Sequence, residues 1–283
     1  MIVASAQVKR VAWRQVLFAT GPGLVAMLAG TDAGSIITIA QSGLKWGYGL
    51  LVPNLLFIPI MFIAQELASR LGLGTRRGAI ELVMRGLGRG PAIFLLMTLA
   101  VSCLGALVSE MSGLAGVGAI YGVPNWLTMI MTVLGLMVMV GTGSYRSVER
   151  VALFLGLFEL AFFVVAWNAK PEITQVMGDA GQIAVRNGDY LYLLAANLGT
   201  SIIPWALLYQ QSASIEKKLD HDHVMGARIE TLSGVVLCQL ITSAAIIAVG
   251  AMFGHRGSGH SLQTVEQIGA VFTATLGGTG TLV

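Results

Sequence analysis

Seven runs of apolar residues, each about as long as a bilayer core is thick, divide this chain, and an eighth begins near residue 264. They lie at 17–43, 47–69, 91–118, 126–143, 150–168, 188–214 and 230–253. Only 11% of the residues are charged and the mean hydropathy is +0.77, whereas soluble domains carry about 25% charge. So few charges cannot cover a water-facing surface, and lipid is the main solvent. In lipid every backbone polar group must be satisfied within its own segment, which points to an all-α integral membrane fold. The 36 glycines fit this reading, because membrane helices pack closely through small residues.

Lys and Arg set the expected orientation. With the N-terminus inside, thirteen of the 17 fall in inner segments, and only Lys45, Lys170, Arg186 and Arg256 lie outside. Adding or dropping one span would scramble this alternation, so the bias supports the span count as well. The expected place is the cell membrane, multi-pass, with residues 1–16 a cytoplasmic tail. The tail is short and basic, but no small-residue cleavage site follows it. The apolar stretch that ends at Val283 reads as a chain truncated within helix 8. Cys103 and Cys238 sit inside apolar runs and read as small buried hydrophobes.

Charges inside the membrane cost about 2.5–3.5 kcal/mol at a helix centre, so the few that occur matter. Asp32 lies in span 1, Glu110 in span 3 and Glu159 in span 5. Glu66 lies near the inner end of span 2, one turn before Arg70, and reads as half of an interfacial ion pair. No role for Glu159 can be derived from the sequence. Around Asp32 the chain reads GPGLVAMLAGTDAGS, and a helix that unwinds at Thr31–Ser35, with Gly34 at the break, would expose carbonyls at mid-membrane. That is tolerated only where they line a cavity or an ion. Span 6 carries a matching break at Gly199, Thr200, Ser201 and Pro204. Pro204 has no N–H to give to the Thr200 carbonyl four residues back. Interruptions at corresponding places in two spans point to a secondary-transporter site.

The Asp32 carboxylate, the Ser35 side chain and the Thr200 carbonyl are hard oxygen ligands that suit Mg²⁺, Mn²⁺ or Ca²⁺. The four histidines fall in loops, and His221-Asp-His223 reads as a solvated inner loop. Phosphate-binding, zinc and nucleophile–base patterns are missing from the inner loops, so neither an enzyme nor a cofactor is expected. The pI near 9 reflects cytoplasmic-side arginines and not a basic stripe, so no nucleic-acid binder is expected either.

These stretches resemble those of the NRAMP superfamily of divalent-metal transporters. Gly21-Pro-Gly followed by Thr31-Asp-Ala-Gly-Ser35 resembles the family's first-helix motif. Gln65 to Gly72 resembles the end of its second helix, Glu110 and Gly113 its third, and Ser201-Ile-Ile-Pro204 its sixth-helix break. The resemblance implies two inverted repeats of five helices with helices 1 and 6 broken. Residues 17–168 are then the first repeat, 169–187 an extracellular loop and 188–283 a partial second repeat. It also implies an ion held by Asp32 first, then the Thr200 carbonyl and Ser35. Glu110 is an acidic wall of the cavity, with Gln210, Gln211 or Glu110 reaching a partly hydrated ion through water.

The departures bear on the substrate. Ile203 stands where the family has a methionine, Trp205 and Gln210 where it has histidines, and Leu107 where it has an acid. Loss of a soft thioether removes a preference for transition metals over Mg²⁺. Loss of the protonatable groups weakens proton coupling. The stretch from Pro204-Trp205 through Tyr209-Gln-Gln-Ser-Ala213 is similar to the NRAMP-related magnesium transporters. The expected activity is therefore transport of Mg²⁺, and also Mn²⁺, with weak or no proton coupling. The alternatives are a proton-coupled Mn²⁺/Fe²⁺ carrier, an amino-acid carrier on the same scaffold, and an inactive membrane fragment. The direction of transport and the oligomeric state are not set by the sequence.

Overall fold

The computed structural model describes Met27 and residues 30–141, 145–216, 224–253 and 267–269. Most of the expected first half of span 1, the four histidines and most of span 8 lie outside these residues. Every regular element described is helical. In order, these are α1 (Ala33–Trp46), α2 (Leu51–Thr75), α3 (Ala79–Gly86), α4 (Arg89–Ile120), α5 (Asn125–Gly141) and α6 (Tyr145–Gly156). A 3₁₀ turn (Leu157–Leu160) joins α6 to α7 (Ala161–Asn168), and α8 (Ile173–Ala180), α9 (Gly188–Ser201), α10 (Pro204–Glu216) and α11 (Val224–Phe253) follow. Five helical segments are long and apolar enough to cross a membrane: Leu51–Thr75, Arg89–Ile120, Arg150–Asn168, Gly188–Glu216 and Val224–Phe253. Asn125–Gly141 is a shorter apolar helix.

Two differences from the sequence reading concern secondary structure. The expected outer loop 169–187 holds the short helix α8, entered from Glu172 in an extended conformation. Span 5 is not one continuous helix, because it tightens to 3₁₀ at Leu157–Leu160.

α11 is the core of the bundle and packs against α2, α1 and α7. α9 and α10 close on α1 and α2, while α4 contacts α5, α3 and α1 from outside. Burial follows this division. Val235, Ile241, Ile246 and Ala248 of α11 are fully buried, whereas Phe94, Val101 and Val108 of α4 are two-thirds exposed or more. The exposed apolar faces of α4 and α5 are what lipid requires. Cys238 is buried as expected, but Cys103 is exposed on α4. An apolar run does not distinguish a core face from a lipid face.

Close backbone approach holds the centre together. A Cβ on Gly43 would lie 2.9 Å from the Val249 Cβ and 3.0 Å from the Ile246 carbonyl oxygen, so α1 and α11 touch backbone to side chain here. Interhelical hydrogen bonds fix the register. The Asn54 amide donates to the Gln239 carbonyl at 3.2 Å and to Ser243 Oγ at 3.1 Å. Asn197 Nδ2 donates to Ser42 Oγ at 2.7 Å, joining α9 to α1. Near the end of α1, the Tyr190 hydroxyl donates to the Gly49 carbonyl at 2.9 Å, and its ring stands edge-on to Trp46.

At the expected inner end, Glu66 is buried and pairs with Arg70, and Arg228 of α11 approaches it at 3.6 Å. The Arg228 guanidinium also lies 5.9 Å from the Phe62 ring centroid. Both arginine side chains are about half exposed. Losing Glu66 therefore leaves two hydrated cations rather than two buried ones. Glu66→Ala lowers stability by about 1 kcal/mol, the scale of an exposed pair and not the 3–5 kcal/mol of a fully buried one. Thermal unfolding in detergent measures it.

Candidate metal centre at the helix breaks

The site is built around the N-terminus of α1. The first N–H groups of a helix have no partner within it, and the end carries a partial positive charge. Asp32 is the N-cap, with extended backbone angles (φ −79°, ψ 172°). Its Oδ1 accepts from the Ser35 N–H and from the Ser35 hydroxyl, both at 2.7 Å. The Ser35 Oγ also lies 3.0 Å from the Gly30 carbonyl oxygen. The cap explains why the break is shorter than expected. Helix resumes at Ala33, so Gly34 and Ser35 belong to the first turn and not to the unwound stretch.

A second carboxylate arrives at the same helix end. Glu110 of α4 accepts from the Ala33 N–H through Oε1 at 3.1 Å. Gly34 makes this approach possible, since a Cβ there would lie 3.1 Å from Ser109 Oγ and 3.4 Å from Asp32 Oδ1. Two acidic side chains from different spans thus share one helix N-terminus, whose partial positive end faces them. Two carboxylates so placed repel each other, and a bound cation relieves that repulsion.

The second break is also present. α9 ends at Ser201 and α10 begins at Pro204, with Ile202 and Ile203 between them. Proline suits the first position of a helix because its missing N–H has no partner to lose. Thr200 and Ser201 turn their hydroxyls back onto the Asn197 carbonyl at 3.0 and 2.8 Å. Their side chains are thereby engaged within α9. Ile203 is buried, and the indole N–H of Trp205 is buried without a partner.

Consecutive residues of α11 reach the two breaks. Cys238 Sγ lies 4.0 Å from Thr31 Oγ1 at the first break. Gln239 Nε2 lies 3.5 Å from Ser201 Oγ at the second and 2.9 Å from Met61 Sδ. The breaks therefore face a common stretch of α11. Gln239, completely buried with its amide oxygen unpartnered, is a polar residue of this centre that the sequence reading passed over. The signal was present as a glutamine inside the apolar run LCQLITSAA.

The remaining candidates are engaged elsewhere. Gln210 Nε2 donates to Thr231 Oγ1 of α11 at 2.8 Å. Gln211 Nε2 donates to the Arg77 carbonyl between α2 and α3 at 2.9 Å. Asp32, Ser35 and Glu110 come together, whereas Gln210 and Gln211 contact α11 and the end of α2. Among the described residues no group of three or more His, Cys, Asp or Glu stands together. Any ion here draws on hydroxyl, carbonyl or water oxygens beyond the two carboxylates.

Among the described residues, the first span's helix starts at an acidic cap that a second carboxylate joins, and the sixth span breaks between Ser201 and Pro204. Residues 23–283 match the family model described as natural resistance-associated macrophage protein-like, and the chain belongs to that family. It is similar to the divalent metal cation transporter MntH of Bacillus subtilis, 26% identical over 257 residues, covering 87% of this chain and 60% of that protein. It is also similar to the metal transporter Nramp1 of Populus trichocarpa, 24% identical over 254 residues, covering 86% and 47%. The chain thus spans about half to three-fifths of the length of these relatives. Its fold is that of the crystal structure of the Eremococcus coleocola manganese transporter, with a TM-score of 0.72 at 16% identity over the whole of this chain and 65% of the other. The all-α, inverted-repeat membrane fold expected from the sequence is thereby established, and the protein is a multi-pass membrane protein.

Proposed function

We propose that this protein moves divalent metal cations across the cell membrane by alternating access, with Mg²⁺ the preferred ion, Mn²⁺ also carried, and proton coupling weak or missing. The observation that carries the reading is the meeting of Asp32 and Glu110 at the N-terminus of α1. It supplies hard, charged oxygen at the level of both helix breaks. Mg²⁺ dehydrates reluctantly and binds through one or two carboxylates while keeping several waters, which suits a centre with two acids and, among the described residues, no imidazole. In this reading the N-terminus is cytoplasmic and residues 17–168 form the first repeat. Residues 169–187 lie outside, and 188–283 belong to the second repeat. The ion meets Asp32, Glu110, Ser35 and the Thr200 carbonyl directly or through water.

The test is flux into liposomes that hold the full-length protein, with a magnesium-sensitive dye and a pH dye inside. The expected result is Mg²⁺ entry without matching acidification. Mn²⁺ entry with stoichiometric acidification and no Mg²⁺ entry would establish the proton-coupled manganese carrier instead. Selectivity has its own check. Ile203→Met restores a soft sulfur beside Pro204 and raises the Mn²⁺-to-Mg²⁺ uptake ratio by about tenfold, or 1.4 kcal/mol of differential binding. An unchanged ratio removes residue 203 from the selectivity argument.

A further inference from the structure

Where α2 packs against α11, each helix carries a stripe of exposed apolar side chains. Ile63, Leu67 and Leu71 form one, and Met225, Ile229 and Leu232 the other. Spacings of three and four residues put each set on one face of its helix. Arg70 falls in the first stripe and Arg228 in the second, and both side chains are about half exposed. They meet at the expected inner end of the pair, near the last turn of α2 and the first turns of α11. Both line one cleft with Glu66 and the buried Ser69 and Thr231, which puts the two stripes on the same side. The cleft is shallow, with room for about one water.

The charges in this cleft do not balance. Glu66 Oε1 pairs with Arg70 and lies 3.6 Å from Arg228 Nε. Among the described residues no other carboxylate pairs with either arginine. Glu230, the next acid along α11, is buried and does not line the cleft. Two guanidiniums thus share one carboxylate, and a positive charge is left over at the mouth. The Phe62 ring, 5.9 Å from the Arg228 guanidinium carbon, helps to hold that side chain at the helix pair.

We propose that this cleft binds the headgroup phosphate of an anionic phospholipid, whose acyl chains lie along the two stripes. The guanidinium fork matches phosphate oxygens, and the phosphate rests at the mouth, since the cleft itself is too small for it. The surplus charge selects a lipid with one net negative charge over a zwitterionic one. Ile63 and Leu67 on α2 and Ile229 and Leu232 on α11 run from the arginines toward mid-membrane, where a lipid has its chains and a free phosphate has nothing. Basic pockets between spans on the cytoplasmic side suit such headgroups. A phosphate across Arg70 and Arg228 joins α2 to α11, so its occupancy favours the arrangement in which the two are packed together.

The test reads binding and not transport, so it is separate from the flux experiment above. The unfolding temperature of the purified full-length protein in a neutral detergent is measured with added phosphatidylglycerol, phosphatidylcholine or inorganic phosphate. Phosphatidylglycerol is expected to raise it in a saturable way, and the other two are not. Arg228→Ala is expected to move the half-saturating phosphatidylglycerol concentration upward about tenfold, the scale of one charged hydrogen bond. Arg85→Ala is expected to leave it unchanged, because Arg85 pairs with Glu81 on α3, away from the cleft. If Arg228→Ala fails to fold, Arg70→Gln serves in its place with the same expected shift. An equal rise with phosphatidylcholine overturns the proposal. So does an equal rise with inorganic phosphate, which would identify a site for a soluble anion. A half-saturating concentration unmoved in Arg228→Ala and Arg70→Gln overturns it too. No rise with phosphatidylglycerol also overturns it, as a further span lying over the two stripes would produce.

Discussion

If the proposed ion path is right, Asp32→Ala is expected to lower divalent-ion flux through the reconstituted full-length protein at least about 100-fold. Two effects of the substitution must be separated. The first is loss of a unit charge from the proposed ion site. Two unit charges about 4 Å apart interact by about 4 kcal/mol at the effective dielectric of a protein, and every 1.4 kcal/mol is a factor of about ten in affinity. Two to three orders of magnitude are therefore at stake, before the double charge of the ion is considered. The second effect is loss of the helix cap, since Asp32 Oδ1 accepts from the Ser35 N–H and hydroxyl. Removal of a cap costs about 1 kcal/mol. Asp32→Asn distinguishes them, because asparagine caps a helix as well as aspartate does but carries no charge. The Asp32→Asn protein should unfold at the wild-type temperature and still show the loss of flux. If Asp32→Asn transports normally, the carboxylate is a structural cap and the ion path lies elsewhere. Glu110→Gln should be milder, because its Ala33 N–H bond survives in the amide.

The second large effect is on folding. Gly43→Val is expected to prevent assembly of the bundle, seen as loss of monodisperse protein in detergent. The Cβ alone would approach the Val249 Cβ to 2.9 Å and the Ile246 carbonyl oxygen to 3.0 Å. Neither neighbour is the free end of a long side chain. α1 and α11 would have to separate, and α11 is also the partner of α2 and α7. Overpacking in a close-packed interior costs about 1–3 kcal/mol and more when backbone must shift. Gly74 on α2 is the control, since nothing lies within 4 Å of a Cβ placed there. Gly74→Ala should leave the protein unchanged. Equal expression of the two variants would mean that the α1–α11 crossing tolerates a wider spacing than its backbone contacts imply.

What the sequence made legible follows from which signals lipid leaves intact. Span positions came from hydropathy, because a run of apolar residues about 20 long has few other uses. The breaks came from Asp32 and Pro204, residues whose chemistry acts locally on the backbone next to them. The Glu66–Arg70 pair came from spacing along one helix. The facing of each helix was not legible. α4 and α11 are both apolar on all sides, yet α4 is largely exposed and α11 largely buried, because lipid tails and protein core reward the same residues. For that reason the sequence reads Cys103 as buried, gives Glu159 no role and passes over Gln239. The 3₁₀ turn at Leu157–Leu160 was equally hidden, since those four residues include neither proline nor glycine.

That turn has a consequence for how span 5 sits in the wall. A 3₁₀ helix advances about 120° per residue where an α-helix advances about 100°. Four residues of it twist everything downstream by about 80° relative to an uninterrupted rod. Before the turn, Phe154 and Leu155 point outward, as do Leu157 and Phe158 within it, while beyond it Val165 and Ala166 are buried against α11. The interruption works as an angular coupling. It keeps a core-facing flank on both sides of the turn, with Gly156 before it and Val165 and Ala166 beyond, while Phe154, Leu155, Val164 and Trp167 form the oily flank toward the bilayer. Inserting or deleting a single residue there would rotate Val165 and Ala166 by about 100° and turn the α11 contact toward the fatty chains.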